Sequence, residues 1–236
     1  MRTAHGFLTE RDATLYELMD DPGADPRALR RTYDGFRVLN PLVAGWRRVY
    51  RSIIRPLLSR HEERTLLDVG SGGGDVTRSL ARWAARDGVR LRLLGIDPDE
   101  RAHSYALAAP EVKGVEFRRA LLADIEEPFD FVVSNHVLHH LDDAAAFLRE
   151  AAARTRILTV HSDLVRSRVA YAAFSVLSAP FFAGSFIRAD GLTSIRRSYT
   201  VDELRAIVPE GWRVVPTAPS RLLALSVPAA PGPDRA

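Results

Sequence analysis

Seven residues, Asp68-Val69-Gly70-Ser71-Gly72-Gly73-Gly74, constrain this chain more than any other stretch. They follow a short apolar run, Thr65 to Val69, and precede a segment of helical periodicity from Asp75 to Arg86. A glycine turn between strand and helix lets the backbone approach a ligand closely, and the helix start offers free N–H groups. The glycines fall as Gly-x-Gly-x-Gly at Gly70, Gly72 and Gly74. A dinucleotide fingerprint needs its third glycine one position later, where this chain has Asp75. A carboxylate at that helix start would repel a pyrophosphate, so the loop suits NAD or FAD poorly. Asp68 suits a ligand with a cationic amino group instead. Asp97 closes the next apolar run, where a carboxylate can accept from both hydroxyls of a ribose.

The pattern around the turn alternates. Thr65–Val69, Leu91–Ile96, Val115–Phe117, Phe129–Val133 and Ile157–Val160 read as strands. Helices are expected over Asp75–Arg86, Glu100–Ala109 and Asp142–Ala153. Such alternation predicts βαβ units and a parallel sheet covered on both faces. A last helix, Thr200–Val208, precedes strands near Trp212–Val215 and Leu222–Val227. The expected fold is α/β, a Rossmann-like, mostly parallel sheet of seven strands. Residues 1–60 read as an N-terminal helical cap, 61–227 as the core and 228–236 as a disordered tail. Within the cap, Thr9 is expected to start one helix, Pro26 a second and Asn40-Pro41 a third.

The chain's 236 residues suffice for one large domain. A net charge of +3, carried by arginine, implies no nucleic-acid partner, which needs a concentrated basic face. The absence of cysteine excludes disulfides and thiol nucleophiles and fits a cytoplasmic protein. The start of the sequence has no signal-peptide pattern. Val169 to Ile187 is uncharged and long enough to cross a bilayer, but its Ser, Pro and Gly content favours a buried helix or pocket lid. Peripheral membrane contact is compatible with it, and oligomeric state is not legible.

With Asp68, the glycine turn and Asp97 in order, the segment from Leu66 to Val160 resembles class I S-adenosylmethionine-dependent methyltransferases. The resemblance implies S-adenosyl-L-methionine as cofactor. By it, Gly70, Ser71 and Gly72 line the methionine moiety and Asp97 holds the ribose. Asp124 sits at the adenine amino group, with Pro98 and Ile125 packed on the ring. Asn135 is placed beside the cofactor, and Arg47 opposite its carboxylate. The segment Ser134-Asn135-His136-Val137-Leu138-His139-His140-Leu141 lacks the Asn/Asp-Pro-Pro-aromatic motif of enzymes acting on nucleobase amino groups. It looks like the quinone- and polyketide-tailoring, small-molecule branch.

Such an enzyme moves a methyl group to oxygen, less readily carbon, of a hydrophobic or aromatic molecule. Phenols titrate near pH 10, so a histidine base would help. His161, expected at the end of the fifth strand, is the first candidate, with His136 and His139 beside it; no metal is expected. Asp163-Leu164-Val165-Arg166-Ser167 and the segment from Asp190 to Tyr199 resemble a quinone-methyltransferase-like bacterial subgroup with a helical insertion, here 164–190. Phe174, with Tyr171, Phe181, Phe182 and Phe186, is expected to wall an apolar pocket. Tyr33, Arg166, Arg196 and Tyr199 are expected at the substrate. Two alternatives stand beside this reading. One is an RNA methyltransferase using Arg47, Arg48, Arg51 and Arg55 as a basic face; the other is a non-catalytic subunit that binds S-adenosylmethionine.

Overall fold

A computed structural model describes residues 7–179, 182–218 and 220–227, without the side chains of 41–43. Phe181 and the expected tail, 228–236, lie outside the described residues. After α1 (Pro26–Val43) and the short α2 (Trp46–Val49) come β1 (Arg64–Val69), α3 (Asp75–Arg86), β2 (Leu91–Asp97), α4 (Glu100–Ala108) and β3 (Val115–Arg119). β4 (Phe129–Asn135), α5 (Ala144–Ala153) and β5 (Thr155–Leu164) follow. α6 (Arg168–Leu177), α7 (Ile187–Arg197) and α8 (Val201–Ile207) precede β6 (Arg213–Thr217) and β7 (Arg221–Ser226).

The seven strands form one sheet in the order β3-β2-β1-β4-β5-β7-β6. Neighbours from β3 through β5 are parallel, while β7 pairs antiparallel with both β5 and β6. β4 is buried until its last residue because both of its faces are covered. One face packs on Trp46, Tyr50, Ile54 and Leu80, the other on Ile125 and Ala151. The strand order reverses between β1 and β4, and ligands of open α/β sheets bind at that switch point. Val69 pairs with Ser134 there, so the glycine turn opens beside Asn135.

The N-terminal region departs from expectation. No helix starts at Thr9; residues 9–17 run as a strap that ends in a 3₁₀ turn, Leu18–Asp20. Tertiary partners replace the helical bonds. Arg11 donates to the carbonyls of Arg197, His139 and Leu141, and the Asp12 N–H to that of Arg196. α1 begins at Pro26 with Asp25 as its cap, but runs through Asn40-Pro41 and stops at Gly45, whose φ is 73°. The insertion also extends beyond 190, since α7 continues to Arg197. No described helix is long and apolar enough to cross a membrane.

Candidate active site

The glycine turn folds as it does because three of its residues need left-handed backbone: Gly70, Gly72 and Gly74 have φ of 66°, 53° and 76°. A β-carbon on Gly70 would also lie 2.6 Å from Val137 Cγ2. Gly72 N–H donates to Asp97 Oδ2 at 2.9 Å, while Asp97 Oδ1 accepts from the Asp99 N–H. Burial raises the Asp97 carboxyl. Asp68 is 1% exposed; its Oδ2 accepts from Thr77 Oγ1 at 2.6 Å and its Oδ1 is buried without a partner. That desolvation pushes its carboxyl up to about 7. Asp75 accepts from Asn40 Nδ2 and thereby ties α1 to the start of α3.

This turn lies in the wall of a cavity of about 1110 Å³. The cavity is lined by Asp68, Gly70, Ser71, Gly72, Asp97 and Pro98 on one side and by Phe174, Ile187, Gly191 and Ile195 of the insertion on the other. Tyr33, Asn135, His136, His139 and Arg221 also reach it. Tyr33 packs on Tyr105 with ring centroids 4.9 Å apart, and burial raises its hydroxyl pKa.

The three candidate histidines have separate environments. His136 lines the cavity on strained backbone, φ 62°, with Nε2 buried and unpartnered. Burial, then the Arg221 charge, holds it well below the ordinary histidine pKa. His139 is fully buried; its Nδ1 lies 2.6 Å from Asp163 Oδ1 and its Nε2 3.3 Å from Glu17 Oε1. The Glu17 approach misses hydrogen-bond geometry and is a Coulombic contact. Burial opposes the charged ring, but the two carboxylates outweigh it and lift His139 to about 9. Asp163 is correspondingly held below the usual carboxylate range despite its own burial.

His161 requires correction. β5 continues to Leu164, so His161 is not at the strand end. It is fully buried away from the cavity lining, stacked on Trp212, with Nδ1 2.8 Å from Ser134 Oγ. Burial drives its pKa to about 3. A base there has no route to a ligand in the cavity.

Several other expected site residues are elsewhere. Asp124 accepts from the Leu121 N–H and caps its own turn outside the lining, where Leu121, Leu122 and Ala123 stand instead. Ile125 is fully buried in the core below. Arg47 is exposed and away from the cavity. Arg166 is consumed by Glu203 and the Ser198 carbonyl, and Arg196 by Asp12. Tyr199 is packed under the Arg11 guanidinium, 4.4 Å from its ring centroid. None of these three lines the cavity.

The residues that sequence reasoning missed are Glu17, Asp190 and Arg221. Glu17 was hidden in a segment that reads as a polar helix. Asp190 accepts from the N–H groups of Leu18 and Met19 and so holds the strap against α7. Among the described residues, Glu17, His139 and His140 are the group whose donor atoms, one each, lie within 4.8 Å of one another, a spacing that a metal ion could bridge.

A methyltransferase-domain family matches residues 44–194, and the chain belongs to that family. With its sheet and glycine turn, it is a class I, Rossmann-like methyltransferase domain. Among curated proteins it is similar to a ubiquinone biosynthesis O-methyltransferase of Paramagnetospirillum magneticum, 34% identical over 138 residues, which are 56% of this chain and 51% of the relative. Another of that name, from Methylobacterium sp., is 31% identical over 158 residues, 64% of this chain and 60% of the relative. The chain thus spans between half and two thirds of the length of these relatives.

Among solved structures, the plantazolicin methyltransferase BpumL in complex with SAH superposes with a TM-score of 0.65 at 13% identity, covering 90% of this chain and 93% of that one. The magnesium protoporphyrin IX methyltransferase of Synechocystis PCC 6803 with bound SAH gives 0.51 at 14% identity, covering 90% and 91%. At these identities the likeness is one of fold.

Proposed function

We propose that this protein transfers a methyl group from S-adenosylmethionine to an oxygen of a small aromatic, quinone-like or polyketide-like molecule. The observation that carries the reading is Asp68 Oδ1, a buried acceptor without a partner beside a glycine turn that a side chain would close. A cationic amino group supplies the missing donor and charge. Gly70 and Gly72 let the cofactor's methionine end pass, Asp97 accepts from its ribose, and Pro98 and Leu121 flank its adenine. S-adenosylmethionine held there would supply an electrophilic methyl group to an acceptor oxygen, with the bonding pair left on sulfur and the hydroxyl proton passing to solvent.

The family and the names of the relatives support this chemistry. At about 1110 Å³ the cavity lies just above the roughly 300–1,000 Å³ of single-ligand pockets, which is compatible with a cofactor and a small acceptor together. The apolar insertion favours a hydrophobic acceptor, and catalysis is mainly positioning. His161 takes no part, and His139, protonated at neutral pH, holds the strap rather than taking a proton.

Thermal denaturation tests the reading. S-adenosylhomocysteine at 100 times its Kd should add about 2.7 kcal/mol of stability and raise Tm, with no shift from NAD. A shift from NAD alone would overturn it.

A further inference from the structure

Of the buried arginines, Arg221 lines the cavity, and its guanidinium is poorly paired. Away from that lining, Arg166 pairs with Glu203 and Arg197 donates to the Leu15 carbonyl, each with a buried Nε left over, while Arg78 donates to carbonyls of Gly73, Gly74 and Ala106. Arg221, 4% exposed at the start of β7, makes one hydrogen bond, from Nη1 to Asn135 Oδ1 at 3.2 Å. A guanidinium carries five N–H donors, and Asn135 Oδ1 is already shared with Trp46 Nε1. Among the described residues its side-chain hydrogen-bond partner is this neutral amide and no carboxylate. The nearest acid it feels, Asp163, is occupied by His139 and the Leu164 N–H. Its remaining nitrogens are not sealed, and the residue lines the cavity. An unpaired cation facing a cavity is stable when that cavity takes an anion.

The place matters as much as the charge. Arg221 pairs with Leu164 on β5, on the far side of β4 from the glycine turn and Asp68. It therefore lies at the end of the cavity away from Asp68, the part that the methyltransferase reading leaves to the acceptor. His136, with its free Nε2, stands beside Asn135 at the same edge.

We infer that Arg221, positioned by Asn135, is an anion-recognition residue that holds the acceptor through a negatively charged oxygen. The inference rests on the methyltransferase reading. It commits the acceptor class to molecules that present a phenolate, an enolate or an adjacent carboxylate. A phenol then gives up its proton to solvent before transfer, so the protein lowers the acceptor's pKa instead of supplying a strong base. This fits a site in which His161 lies off the cavity, His139 is paired with Asp163, and burial makes His136 a weak base.

The test uses the full chain loaded with S-adenosylhomocysteine and 4-nitrophenol, whose phenolate absorbs in the visible. Titrated in the complex, the bound phenol should ionise at least one pH unit below its free value. Arg221→Gln should abolish that shift, weakening phenolate binding about tenfold or more at one pH unit per decade. Arg221→Lys should retain part of it. 4-Nitroanisole, which cannot ionise, should bind both proteins alike. Competition by benzoate would identify an adjacent carboxylate as the group held. No shift in the wild-type complex, or an equal shift in Arg221→Gln, overturns the inference. So does a Kd for S-adenosylhomocysteine that weakens with the variant as much as phenolate binding does, because the guanidinium would then hold the cofactor's carboxylate. Failure of wild-type protein to bind S-adenosylhomocysteine would instead strike at the methyltransferase reading itself.

Discussion

On the proposed reading, a single buried atom of Asp68 sets the binding preference. Its Oδ2 is engaged by Thr77 and its Oδ1 has no hydrogen-bond partner among the described residues, so burial pushes the carboxyl up to about 7. An ammonium group needs the ionised form. Below pH 7 the free protein carries a proton there that binding must expel, so cofactor affinity should fall toward tenfold for each further pH unit of acidification. Above pH 7 affinity should level off. Calorimetric titration with S-adenosylhomocysteine between pH 5 and 9 measures this, and Asp68→Asn should bind weakly with a flat profile. A wild-type profile that is flat from pH 5 upward would mean that Asp68 does not meet the amino group. His161 teaches the opposite lesson. Its chemistry suggested a base, but only the length of β5 and the position of Trp212 decide that its ring is core.

Among the elements, those set by local pattern were legible. α3 has the bounds its periodicity predicts, and the first four strands are extended only at their ends, because apolar runs and the glycine turn are short-range signals. The strap and the insertion were not legible, because their bonds span most of the chain. The carboxylate of Asp190 reaches Leu18 and Met19, and Ser194 reaches Glu17. The segments around Arg166, Arg196 and Tyr199 were recognisable as strings, yet their side chains anchor the insertion and strap from behind the cavity. Asp190 is the best place to test that anchoring. Hydrogen bonds to a charged group contribute roughly 1.5–3 kcal/mol each, and Asp190→Ala removes two while orphaning both N–H groups. We expect a loss of about 3 kcal/mol in urea denaturation and about half that for Asp190→Asn. A loss within 0.5 kcal/mol, an ordinary surface effect of about that size, would show that the strap is held by its other contacts.

Across the whole molecule the strap joins both ends of the cavity. At the cofactor end Arg101, beside Asp99 in the turn after β2, donates to the carbonyls of Met19 and Asp21. At the acceptor end Asp190 of α7 accepts from Leu18 and Met19. Between them His139 meets Glu17 and is held by Asp163 of β5. On the proposed reading two ligands share this cavity and one closure, and ordering it for the first should lower the cost of binding the second. Hydrogen exchange can follow this directly. Saturation with S-adenosylhomocysteine should slow exchange not only in the glycine turn but also over residues 17–21 and in α7, which lies across the cavity from it. Arg101→Ala should keep the protection at the turn and lose it in α7, because it cuts the strap from the cofactor end. Protection confined to the turn in the wild-type protein would mean that the two halves of the cavity close independently, and that Asp190 and Arg101 hold the strap without coupling what binds on either side of it.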